Sequence, residues 1–163
     1  MIAQVATLSV NGTDIRSMGL SDIDDEGRLI FLTNRGSHKW AQLSIHPAIS
    51  ILLLNIKQNV QIIVRGQAEL LTLESHSSLL EHYWLCTPRQ AQFTFLDKNP
   101  EGEFIPLNGS LEIAAPPENF GMIRVLTANW EILVIDSDNY HVSPRFRFEK
   151  NGSNWLKTRL NAI

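Results

Sequence analysis

The chain has one cysteine in 163 residues, Cys86, so no disulfide can form within it. It has no run of lysine or arginine: 14 basic residues face 17 acidic ones, for a net charge of −3. Duplex nucleic acid needs a basic face, so nucleic acid is not an expected partner. The longest strongly apolar run, "AISILLLNI", is too short to cross a bilayer, and no membrane association is expected. The opening "MIAQVATLSV" has no basic segment followed by a long apolar stretch, which predicts a soluble, cytoplasmic chain. The five histidines (His38, His46, His76, His82 and His141) show no paired ligand spacing, so no metal is expected. A Gly-x-Ser-x-Gly elbow, a Gly-x-Gly-x-x-Gly fingerprint and a P-loop are all missing. Any phosphate bound here must be held by side chains and by the ends of strands or helices.

What is present is a succession of short strands with frequent turn signals, in a length suited to a single domain over 1–163. "QVATLSVNGTDIRSMGLSDI" reads as two strands around "NGT", and "RLIFLTN" as a third. "SHKWAQLSIHP" reads as a short helix with Ser37 as N-cap, Pro47 as stop, and Trp40, Leu43 and Ala41 on its apolar face. "AISILLLNI" and "NVQIIVRGQAELL" read as long strands. "TLESHSSLLEHYWLC" is the best helix, capped by Thr72 or Ser75, with Cys86 expected as buried packing near its end. Residues 97–120 read as loop, and "MIRVLTANWEILVID" as a strand. "RFRFEKNGSNWLKTRL" reads as a hairpin about Asn151-Gly152, with Phe146 and Phe148 on one face and Arg145 and Arg147 on the other. Six to eight strands and two helices favour a barrel or sandwich.

One stretch gathers chemistry. In "FLTNRGSHKW" a strand ends at Thr33, turns, and presents Ser37, His38 and Lys39 at a helix start, with Arg16 on a neighbouring strand. A helix N-terminus offers N–H groups and partial positive charge, and a guanidinium and an ammonium add charge-assisted bonds suited to a phosphate dianion. The same residues are also what a capped surface turn with solvated cations would use.

The order of these segments resembles the pyridoxamine-phosphate oxidase-like family. Its "A-T-V-D-x-x-G" and "R-x-V-L-L-K" segments correspond to "ATLSVNG" and "RSMGLS", "F-Y-T-N-x-x-S-R-K" to "FLTNRGSHK", "R-Q-V-x-V-x-G-x-A-E" to "VQIIVRGQAE", and "W-x-x-x-R-L-x-P" to "WLKTRLNA". The resemblance implies a mainly β fold, an antiparallel Greek-key split barrel with flanking α-helices. It also implies bound flavin mononucleotide (FMN) in a cleft between the subunits of a homodimer. Arg16 and Lys39 would then neutralise the phosphate, with His38 where the family has arginine. Met18, Leu32 and Thr33 would lie along the flavin, and Gln61 and Arg145 would contact it. Tyr83 and His141 would face a small-molecule substrate, His141 being the only candidate acid or base. Several substrate positions depart from the family pattern. Its lysine is Ser21, an arginine is Thr87 and a serine is Ala91. Its "R-L-H" becomes His141, Val142 and Ser143, and a tryptophan becomes Ile135. The resemblance therefore implies an FMN-dependent oxidoreductase whose substrate pocket has diverged from pyridoxamine phosphate. A non-catalytic flavin-binding or ligand-sensing module is the alternative.

Overall fold

The computed structural model describes residues 1–97, 100, 102 and 113–161. Nine strands form one antiparallel sheet: β1 (Ile2–Ser9), β2 (Gly12–Gly19), β3 (Asp22–Ile23), β4 (Leu29–Asn34), β5 (Ala48–Asn55), β6 (Val60–Leu71), β7 (Phe120–Val134), β8 (Arg145–Asn151) and β9 (Asn154–Leu160). The helices are α1 (His38–Ile45), α2 (Leu73–Cys86) and the short α3 (Arg89–Gln92). The strand path runs β2-β1-β5-β6-β7-β4-β3, with the β8–β9 hairpin attached to β7. It does not close among the described residues.

The 15-residue β7 explains the split. Its first half pairs with β4, from Phe120↔Asn34 to Val125↔Leu29, and its second half pairs with β8, from Asn129↔Glu149 to Leu133↔Arg145. One long strand thus serves two partners on the same edge. Its other edge runs along β6, whose register shifts at Arg65/Gly66. Gly66 is required there because a Cβ would come within 2.2 Å of the Leu126 carbonyl oxygen.

The alternation seen in the sequence becomes two faces. Ala3, Val5, Ile49, Ile51, Leu53 and Val64 point into the barrel with Phe31, Ile123 and Val125. A second cluster lies under α2, where the rings of Trp84, Phe95 and Phe120 meet edge to face with centroids 4.9–6.1 Å apart. α1 is held by buried Leu43 and by Trp40, whose ring covers Gly121 so closely that a Cβ there would come within 2.6 Å of it.

Several expectations need correction. Among the described residues the strands number nine rather than six to eight, and two-residue β3 is too short to leave a sequence pattern. A third helix follows Pro88. Ala41 is exposed, since α1 has only eight residues and packs through Trp40 and Leu43. Ser37 does occupy the N-cap position, but its hydroxyl donates to the Asn34 carbonyl (2.8 Å) instead of accepting from the helix. Cys86 is exposed, because Leu80 and Trp84 carry the buried side of α2. Thr72 caps α2, and the Ser75 hydroxyl accepts from the Thr72 N–H at 3.1 Å. Most of the expected 97–120 loop lies outside the described residues.

Candidate functional site

β2, β4 and the start of α1 wall a cleft of about 310 Å³. Met18, Leu32, Thr33, Ser37 and Lys39 line it, so five of the nine positions singled out for a flavin share one surface. The local sequence explains the geometry. β4 is buried along nearly its whole length, Phe31 and Thr33 included, and only Leu32 between them is partly exposed. The Asn34 side chain accepts from the Gly36 N–H at 2.8 Å and so folds the turn that returns the chain as α1. Lys39 thereby follows Thr33 by only six residues yet reaches the same cleft. Thr33 is 4% exposed, and its hydroxyl has no hydrogen-bond partner among the described residues.

Arg16 lies one step along the same face. It pairs with Val5 in the sheet and reaches up to α1, where a guanidinium nitrogen donates to Gln42 Oε1 at 3.1 Å. It also bonds the Thr7 hydroxyl and lies 3.7 Å from the Asp14 carboxylate. Gln42 is one helical turn beyond Lys39, so both cations flank one side of α1. His38 is not on the cleft wall. It is exposed and lines a separate groove with Leu8, Val10 and Ile45, although Gln42, one turn further along α1, borders that groove too.

Past Gly19, Leu32 and Phe95 the cleft opens into a second chamber of about 550 Å³. Four of the positions that the resemblance assigns to the substrate end meet here: Ser21, Tyr83, Thr87 and Ala91 all line it. The Tyr83 hydroxyl donates to Asp22 Oδ2 at 2.9 Å. Burial, followed by that hydrogen bond and the Asp22 charge, pushes the Tyr83 phenol up to about 12, so it remains a donor. Asp22, His82 and exposed Cys86 also face this chamber. Sequence reasoning singled out none of these three. The only signal for Asp22 was its position next to Ser21.

The remaining positions lie elsewhere in the chain. Met18, Ala3, Leu53 and Ile62 are register partners across β2, β1, β5 and β6. Gln61 is one residue away from Ile62 and therefore points to the opposite, outer face. Leu133 and Arg145 continue the Gln61 row across β7 and β8. There Arg145 donates twice to Glu131 Oε1, at 2.9 and 2.6 Å, and Arg147 approaches the same carboxylate at 3.6 Å. Burial raises the Glu131 pKa, but the Arg145 bonds and the guanidinium charges of Arg145, Arg147 and Arg65 outweigh it and leave the carboxyl below its ordinary value. His141 is exposed in the 3₁₀ turn leading into β8, its N–H donating to Asn139. One chain thus gathers Met18, Leu32, Thr33, Ser37, Lys39 and Tyr83 along one continuous cleft with Arg16 beside it. Gln61, Arg145 and His141 lie on and around the outer face.

An open antiparallel sheet of this strand order, with a cleft at a strand–turn–helix corner, defines the split-barrel class. Within it the assignment is direct: the pyridoxamine 5′-phosphate oxidase family profile matches residues 2–102, and the chain belongs to that family. A pyridoxine/pyridoxamine 5′-phosphate oxidase of Deinococcus deserti is 27% identical over 160 residues, covering 90% of this chain and 72% of that protein. One from Serratia proteamaculans is 28% identical over 169 residues, covering 96% and 75%. Among solved structures, a pyridoxamine 5′-phosphate oxidase-related, FMN-binding protein of Nostoc punctiforme superimposes with TM-score 0.86 at 18% identity, covering 98% of this chain and 87% of that one. PhzG of Burkholderia lata, in complex with tetrahydrophenazine-1-carboxylic acid, superimposes with TM-score 0.79 at 24% identity, covering 98% and 81%. At these identities the superpositions establish the fold.

Proposed function

We infer that the chain is an FMN-dependent oxidoreductase working as a homodimer, with a substrate pocket that no longer selects pyridoxamine phosphate. The observation that carries this reading is the shared cleft: five positions matching the family's flavin contacts line one surface, which runs on into the chamber holding four of the substrate-end positions. The residues suit the cofactor. Lys39 and the first turn of α1 provide a cation and N–H groups for a phosphate. The unpartnered Thr33 hydroxyl offers a polar contact inside a nearly buried wall, and Leu32 and Met18 give an apolar bed for a ring system. The flavin, when bound, supplies the hydride-accepting centre. Tyr83 and Asp22 orient a substrate beside it, and Phe95 helps exclude water.

The homodimer accounts for the second group of positions. Gln61 and Arg145 cannot reach their own chain's cleft through the sheet, whereas a two-fold partner could present its copies there. Ile2, Ile15 and Leu54 are exposed on the outer face of β1, β2 and β5, an apolar surface suited to such a contact. The divergence reading rests on the larger chamber, where no lysine or arginine is among the described lining residues.

The test begins with colour. Purified protein should take up FMN and release it on heating. Anaerobic photoreduction followed by oxygen and candidate substrates then separates an enzyme from a sensing module. Reduced flavin that ignores every substrate and acceptor favours the module. Conversion of pyridoxamine phosphate to its aldehyde at an oxidase's rate would overturn the divergence.

A further inference from the structure

Among the described residues the large chamber is lined by no lysine or arginine; beside His82 it carries an acid. Asp22 lies on its wall, and both carboxylate oxygens are fixed: Oδ1 accepts from the Ile23 N–H at 2.8 Å and Oδ2 from the Tyr83 hydroxyl at 2.9 Å. Each oxygen keeps a further acceptor site, and the residue is exposed and lines the chamber. β3 and the turn after it hold Asp22 in place, because Asp24 Oδ1 accepts from the Glu26 and Arg28 N–H groups and Asp24 Oδ2 binds the Arg28 guanidinium at 2.7 Å. A dianionic phosphate at this wall would meet a carboxylate with no lysine or arginine among the described lining residues to offset it. An ammonium group would meet a preorganised acceptor.

We propose that this end of the cleft binds a substrate through a positively charged amine, with Asp22 as the specificity-determining residue, held in place by Tyr83. This rests on the flavin cleft proposed above and adds the substrate class: a ring-bearing amine, its flat part toward Leu32 and Phe95 and its ammonium on Asp22.

Three matched probes test it: benzylamine, benzyl alcohol and benzyl phosphate, titrated calorimetrically into FMN-loaded protein at about pH 8. The natural chain should prefer benzylamine about fivefold over the alcohol and at least tenfold over the phosphate. Asp22→Asn, which keeps the shape and the Tyr83 partner, should remove the preference over the alcohol while leaving flavin content unchanged. Ser21→Lys places an ammonium beside Asp22 and should weaken benzylamine and strengthen benzyl phosphate. Equal or tighter binding of benzyl phosphate by the natural chain, no binding of any probe, or an undiminished amine preference in Asp22→Asn would overturn the assignment. Flavin content is read first from absorbance. A chain that takes up no FMN refutes the flavin reading instead, and the same titrations of that chain still decide the amine preference.

Discussion

Lys39 and Thr33 illustrate how two ordinary residues become a site. Neither is unusual in sequence, but the Asn34 turn brings an ammonium and an unpartnered hydroxyl to one wall. Thr33→Val should lower FMN affinity about threefold to tenfold in a fluorescence titration with little change in melting temperature, since it replaces an unbonded hydroxyl by a methyl. Arg145 behaves differently, because within the chain it already neutralises buried Glu131. Arg145→Ala leaves that carboxylate to the charges of Arg147 and Arg65 and should cost about 2 kcal/mol of stability in urea melts. The Glu131 pKa is lowered on folding, so its contribution is full above the ordinary glutamate value and is lost as the pH falls through the folded value. Glu131→Gln should therefore melt lower near neutrality and show a flatter loss of stability below about pH 5. At this scale the sequence showed which residue types cluster around the opening motif. It did not show that Arg16 is engaged by Gln42 and Asp14, or that His38 lines the groove beside Leu8 and Val10 instead of the cleft, because both depend on which face of an eight-residue helix meets the sheet.

The elements carry the site through close contacts that local patterns do not reveal. α1 reaches the cleft because Trp40 rests on β7 where residue 121 has no side chain. Gly121→Ala should displace Trp40 and tilt α1, lowering both the melting temperature and FMN affinity, whereas Thr72→Ala should cost about 1 kcal/mol through α2's lost cap and spare flavin binding. Comparing the two variants by thermal melts and flavin titration separates a helix that builds the cradle from one that covers the second core. The hairpins were legible, since "NGT" and "NGS" sit between alternating runs and both turns fall where expected, β1–β2 and β8–β9. β3 was not, because two residues have no period. The His76 kink in α2 was also hidden: its φ of −145° interrupts a segment whose apolar spacing reads as continuous.

For the whole molecule, the order of motifs was informative and their faces were not. Gln61 and Arg145 read as flavin contacts alongside Lys39, yet the register places them on the sheet face opposite Met18. Such a separation cannot be seen in one sequence, because a shift of one residue decides the face. Under the homodimer proposed above, Ile15→Glu, a charge on the exposed outer face of β2, should shift sedimentation from dimer to monomer and lower FMN affinity together. The most direct measurement of the central claim is FMN affinity of the natural chain beside the Arg16→Ala, Lys39→Ala double variant, both confirmed folded. The account predicts uptake of FMN by the natural chain and a loss of at least about tenfold in the variant. No uptake by the natural chain, or equal affinity in the two proteins, would contradict it.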